Sequence, residues 1–208
     1  YLGTVFTWKY FLAHSTDALH EDEYFGFNSM KNKQILAISG SLRVKSSNTA
    51  VLQAVSILAP EEMEIILYSG LANLPHFNPD LDCEPLPKEI ISLRQQIKSS
   101  DAIMISSPEY AHGVPGSFKN ALDWLVSSTE FPGKLVALIN TNPRATIALS
   151  SLREILITMS AQIVEPANLT LNLAGRGLNA EGIVADEELS RSLGKAIALL
   201  TEAIVEIN

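Results

Sequence analysis

At 208 residues the chain has room for one α/β domain with an appendage, and 47% hydrophobic against 18% charged residues excludes disorder along its whole length. Fifteen Lys and Arg against 23 Asp and Glu give a formal net charge of −8, which argues against nucleic-acid or anionic-membrane binding through a basic face. The single cysteine, Cys83, excludes an intrachain disulfide and a cysteine-built zinc site, and it fits a reducing, cytoplasmic setting.

Residues 1–29 stand apart in composition. They hold eight of the 14 aromatics (Tyr1, Phe6, Trp8, Tyr10, Phe11, Tyr24, Phe25 and Phe27) without a strand or helix period, and Met30 follows just before the first clear strand. Two readings stay open: an N-terminal extension that is non-native or disordered, with Met30 as the natural start, or an arm that packs on a partner subunit. Lys9 and His14 interrupt the apolar residues, so a secretory signal is not expected. No segment reaches the roughly 20 apolar residues of a membrane span.

From Met30 the pattern alternates. Short apolar runs rich in β-branched residues predict strands at 34–39, 63–68, 102–106, 135–140 and 162–164, the last possibly running on to Leu171. Helical periodicity predicts helices at 48–58, 87–98, 116–126, 147–159 and 186–207. Five strand-helix units, with strands apolar on both faces, imply a parallel sheet covered by helices on two sides. The expected fold class is α/β, a flavodoxin-like three-layer sandwich with strand order 2-1-3-4-5. Its ligand crevice lies at the carboxyl ends of the strands where that order reverses.

The loop after the first strand reads Gly40-Ser-Leu-Arg-Val-Lys-Ser-Ser-Asn48. Between Met30 and Pro60 there is no Asp or Glu, while Lys31, Lys33, Arg43 and Lys45 give the segment +4 against −12 for the rest. Ser41, Ser46, Ser47, Asn48 and Thr49 supply short donors, Arg43 a planar fork, and the helix beginning near Asn48 its positive end. Such a set can hold a phosphate dianion. It can also be a serine-rich turn and N-cap. Neither G-x-x-x-x-G-K-[ST] nor G-x-G-x-x-G occurs, which disfavours a P-loop NTPase and the usual dinucleotide fold.

The loop after the third strand, from Ser106 into the next helix, contains Pro108, Gly113, Pro115 and Gly116 and is stiff and tightly turning. Tyr110 and His112 are placed to flank a flat ligand, and the backbone can meet the polar edge of a flavin ring. A plain strand-to-helix connection is the alternative. Phe118, Ala121, Leu122, Leu125 and Val126 read as core, Trp124 as packing, and Lys119 with Asp123 as a solvated i,i+4 pair.

Together the motifs Gly40-Ser-Leu-Arg-x-x-Ser46-x-Asn48 and Pro108-Glu-Tyr-x-x-x-Val-Pro-Gly116-x-x-Lys119-Asn-Ala-x-Asp-Trp124 strongly resemble the NADPH-dependent FMN reductase family. Leu74-Pro-x-x-Asn-Pro-Asp-Leu81 adds to the likeness, which spans Lys33 to about Ile207. The resemblance implies that Ser41, Leu42, Arg43, Ser46, Ser47 and Asn48 surround the FMN phosphate. Pro108, Glu109, Tyr110, Ala111, His112 and Gly113 would border the isoalloxazine ring, with Thr141 and Asn142 completing the cofactor site. It further implies hydride passage from NADPH or NADH through FMN to a small acceptor such as a quinone, azo compound, chromate or free flavin. Neither a catalytic acid-base pair nor a metal is required, and a homodimer or homotetramer with its boundary near the cleft is expected. Two positions depart from the family. Ala111 stands where Asn is common, and Thr141-Asn-Pro-Arg-Ala-Thr146 replaces a glycine-rich loop. Arg144 either meets a nucleotide 2′-phosphate or is simply solvated. A flavin-binding electron-transfer or regulatory module without efficient NAD(P)H turnover is the alternative function.

Overall fold

The computed structural model describes residues 33–207; the expectation made for residues 1–29 lies outside them. Strands β1 (Lys33–Ser39), β2 (Met63–Leu67), β3 (Ala102–Ser106), β4 (Leu135–Asn140) and β5 (Gln162–Ile163) form a parallel sheet in the order β2-β1-β3-β4-β5. This is the expected order. The cause of the two-sided cover is visible in β1, β3 and β4, whose central side chains are apolar on both faces. Ile35, Ala37, Ala102, Met104, Leu135, Ala137 and Ile139 enter one core, while Leu36, Ile38, Ile103, Ile105, Val136 and Leu138 enter the other.

The first core is closed by α1 (Ser47–Leu58) and, farther along the chain, by α5 (Ala180–Ala185) and α6 (Glu187–Ile207). The second is closed by α2 (Lys88–Ser99), α3 (Gly116–Leu125) and α4 (Ile147–Thr158). Because β1 pairs with both β2 and β3, the strand order reverses beside β1. The crevice between the loops after β1 and β3 follows from that reversal.

Two elements differ from the sequence expectation. The fifth strand does not run on to Leu171. Pro166 lies in a 3₁₀ turn (Glu165–Ala167), and pairing with β4 resumes only at β6 (Leu169–Thr170). Proline has no N–H for a ladder, and the interruption is bridged by a side chain: Asn168 Oδ1 accepts the Leu138 N–H at 2.8 Å. The second difference is α5, a six-residue helix too short to show a period. Asn179 caps it by accepting the Gly182 N–H at 2.9 Å, and Ala180 and Ile183 enter the core.

Candidate functional site

Three strand ends meet at the point of reversal, and one buried side chain joins them. Asn48, in the first turn of α1 and 6% exposed, uses a single Oδ1 to accept the hydroxyls of Ser106 at 2.9 Å and Thr141 at 3.2 Å. These partners lie at the end of β3 and just beyond β4. The Asn48 Nδ2 group has no partner among the described residues, so its two donors are held in a fixed orientation for something outside the protein. The Ser39 and Thr49 hydroxyls, 2.9 Å apart, tie the same helical turn to the end of β1.

The loop between β1 and α1 runs hard against the β3 loop. Gly40 donates its N–H to the Ser106 carbonyl at 2.9 Å, and a Cβ at Gly40 would lie 2.3 Å from Ser107 Oγ and 2.8 Å from Ser107 Cβ. Further along, Ser41 Oγ accepts the Arg43 N–H at 3.3 Å, and Ser46 Oγ caps α1 by accepting the Thr49 N–H at 3.4 Å. Each hydroxyl accepts inside the protein, which leaves its proton to donate outward. The N–H groups of Val44, Lys45 and Ser46 donate to no group among the described residues. Arg43 and Lys45 are exposed there without an ion-pair partner among the described residues, Leu42 is half exposed, and Ser47 begins the helix. Arg43, Lys45, Ser46 and Ser47 line a cleft of about 620 Å³ together with Gly175, Gly177 and Asn179, and no acidic residue lines it among the described residues.

The loop after β3 carries a hairpin. Tyr110 and Gly113 exchange N–H···O bonds of 3.1 and 2.9 Å around Ala111 (φ 48°) and His112 (φ 58°). Positive φ at both central residues is what a type I′ turn demands, and Asn or Gly meets it with little strain. Tyr110 and His112 are exposed at its rim. Since alanine is strained in this region, Ala111→Gly is expected to raise stability by about 0.5–1 kcal/mol, or the melting temperature by about 1–4 °C. Ala111→Val should lower both. A scanning calorimetry trace of the flavin-free protein checks this, and a lower melting temperature for the glycine variant would show that the turn is not left-handed in solution.

The Glu109 carboxylate spans from the hairpin to α4. Its Oε2 accepts the Ala148 N–H at 2.8 Å, in the first turn of α4, and its Oε1 lies 3.0 Å from His112 Nδ1. The Ala148 N–H, and after it His112, hold this carboxyl below the usual carboxylate range. In the loop after β4, Asn140 and Asn142 make successive Asx turns, accepting the N–H groups of Asn142 and Arg144 at 3.1 Å each. The Asn142 side chain is therefore engaged within the loop. Arg144 is exposed and its side chain has no partner among the described residues.

The structure thus joins Asn48 to Thr141 at the start of α1, which Ser46 caps and which follows the loop of Ser41, Leu42 and Arg43, leaves Tyr110, Ala111 and His112 exposed on the β3 loop, and brings the Glu109 carboxylate to α4. Sequence reasoning missed Ser106, the Gly40–Ser107 approach and the link from Glu109 to Ala148. A Ser-Gly pair at a strand end was the one available hint. Trp124 packs as expected: it is fully buried, donates its indole N–H to the Pro75 carbonyl at 2.8 Å and meets Phe77 edge to face. Lys119 and Asp123 form a partly exposed ion pair, and His76 and Cys83 are exposed. No group of three or more His, Cys, Asp or Glu side chains that could hold a metal occurs among the described residues. No helix among them is long and apolar enough to cross a membrane.

A phosphorylated flavin fits this donor set. The Asn48 amide, two serine hydroxyls, three backbone N–H groups and a cationic rim without an acid are chemically suited to its phosphate. A parallel sheet in this order with an anion-accepting loop at its reversal defines a flavodoxin-like α/β protein. The family model for NADPH-dependent FMN reductase matches residues 34–175, and the chain belongs to that family. It is an oxidoreductase whose cofactor is FMN and whose hydride donor is a reduced nicotinamide nucleotide.

The chain is 30% identical over 160 residues to an NAD(P)H-dependent FMN reductase of Pseudomonas aeruginosa, covering 74% of this chain and 86% of that one. It is 34% identical over 138 residues to a quinone reductase of Escherichia coli K12, covering 63% and 73%. Among solved structures it is similar to FerB, a flavoenzyme NAD(P)H:(acceptor) oxidoreductase from Paracoccus denitrificans. That match has a TM-score of 0.69 and 27% identity, covering 84% of this chain and 98% of FerB.

Proposed function

We propose that the protein passes hydride from NADPH or NADH, through FMN held at the carboxyl ends of β1, β3 and β4, to a small acceptor of the quinone class. The observation that carries the site assignment is the buried Asn48 amide at the start of α1, whose oxygen is fixed by Ser106 and Thr141 while its donors have no partner among the described residues. The quinone class is supported by the similarity to the E. coli quinone reductase. Azo compounds, chromate and free flavin remain within the same proposal, because an acceptor approaching an exposed ring edge is selected mainly by shape.

Bound FMN supplies the two-electron chemistry. The chain supplies position and charge. Ser41, Ser46, Asn48 and the N–H groups of residues 44–46 hold the phosphate, Arg43 closes over it, and the hairpin from Tyr110 to Gly113 borders the ring. Assembly as a homodimer or homotetramer near the cleft is supported by the exposed apolar residues Val126, Ile147 and Ile157 around α3 and α4.

The deciding experiment is direct. The purified protein should be yellow, bleach anaerobically on addition of NADPH, and oxidise NADPH steadily with a soluble quinone. Bleaching without quinone turnover would favour an electron-transfer or regulatory module. A colourless protein that FMN does not stabilise would overturn the flavin site itself.

A further inference from the structure

Helix α4 has no cap of its own. Thr146, the residue before its first turn, is in the right-handed helical region (φ −94°, ψ −32°) and its side chain bonds to no N–H of the helix. The first-turn donors of a 12-residue helix are then left to other partners. The partner here comes from another loop: Glu109, 39 residues earlier in the chain, places Oε2 2.8 Å from the Ala148 nitrogen. A carboxylate at a helix N-terminus is favoured both as an acceptor and as a charge. Only 14% of the Glu109 side chain is exposed, and its other oxygen meets His112 in the hairpin.

Glu109 therefore belongs to two structures at once. It immediately precedes the Tyr110–Gly113 hairpin, and it holds the start of the helix that follows the Thr141–Thr146 loop. These loops rise from neighbouring strands, since β3 and β4 pair in parallel from Ala102–Leu135 to Ile105–Leu138. Among the described residues the side-chain hydrogen bonds between residues 107–115 and residues 141–149 are all made by the Glu109 carboxylate, chiefly to the Ala148 N–H and more weakly to that of Ile147.

We propose that Glu109 is a positioning residue for hydride transfer, which sets the spacing between the ring-bordering hairpin and the α4 loop by capping α4 from the other side of the cleft. The inference rests on the FMN site proposed above. Removing the carboxylate frees the two loops to change their separation. Nucleotide and ring must approach within about 3–3.5 Å to react, so a small change of spacing is costly for the reaction and mild for binding.

The test compares Glu109→Ala and Glu109→Gln with wild type in two ways. Hydrogen exchange on the FMN-free protein should show residues 109–113 and 147–149 losing protection together in Glu109→Ala. Glu109→Gln, whose amide oxygen still accepts from Ala148, should restore both segments. Stopped-flow reduction of the FMN-loaded proteins at saturating NADPH should be slowed tenfold or more in Glu109→Ala, with FMN affinity changed less than threefold and most of the rate recovered in Glu109→Gln. Loss of protection in only one segment, or an unchanged reduction rate in Glu109→Ala, would overturn the proposal. So would Glu109→Gln as slow as Glu109→Ala, which would place the negative charge itself at the reacting atoms. The exchange arm needs no flavin, so its outcome is independent of whether the FMN site is assigned correctly.

Discussion

Arg43→Ala is expected to weaken FMN binding by about ten- to a hundredfold while leaving riboflavin binding nearly unchanged. The guanidinium stands exposed in the loop between β1 and α1, without an ion-pair partner and in a cleft whose lining carries no acid among the described residues. A charge-assisted contact to a phosphate is worth roughly 1.5 to 3 kcal/mol, which converts to that range of affinity. Riboflavin carries the same ring without the phosphate, so the preference for FMN over riboflavin should collapse in the variant. Arg43→Lys should recover part of the loss, because an ammonium keeps the charge without the planar fork. Fluorescence quenching titrations of both flavins against the three proteins give the answer. Equal weakening of FMN and riboflavin would remove the phosphate from this loop.

Gly40→Ala should damage both the fold and the site. Its added Cβ would overlap the Ser107 side chain at 2.3 and 2.8 Å and press on the Ser107 Cα at 3.2 Å. The hydroxyl can rotate away, but Ser107 Cβ and Cα cannot, so the loops after β1 and β3 must separate. Overpacking of this kind costs about 1–3 kcal/mol, and the separation also pulls Asn48 from Ser106. The expected outcome is a melting temperature lower by several degrees together with at least a tenfold loss of FMN affinity. Gly40→Ala combined with Ser107→Gly removes the two worst overlaps and should regain most of both. If the single variant binds FMN as wild type does, the close approach of these loops is not needed for the site.

The residues that sequence reading located and those it missed differ in one physical respect. Ser41, Arg43, Ser46 and Asn48 could be named as phosphate candidates because their signal is local: an acid-free stretch of short donors between a buried strand and a helix start. The limits of β3 and β4 were legible because a strand buried on both faces reads as a continuous apolar run, here ending on the polar Ser106 and Asn140. The hub around Asn48 was not legible. Its partners Ser106 and Thr141 lie 58 and 93 positions away, and neither differs in type from a serine or threonine in any loop. The splitting of the fifth strand depended likewise on Asn168 reaching the Leu138 N–H from another strand.

By itself, the sequence determined the parallel sheet, the two helical layers and the place of the crevice, since hydrophobic period and local composition act over a few residues. Tertiary structure alone decided how the site is held. It turned the Glu109 carboxylate to the start of α4, put Ala111 and His112 into left-handed backbone, and left the Asn48 amide with donors facing outward. These are pairings between strand ends that become neighbours only when the sheet closes, and a hydrogen bond across such a distance in the chain leaves no pattern in either segment alone.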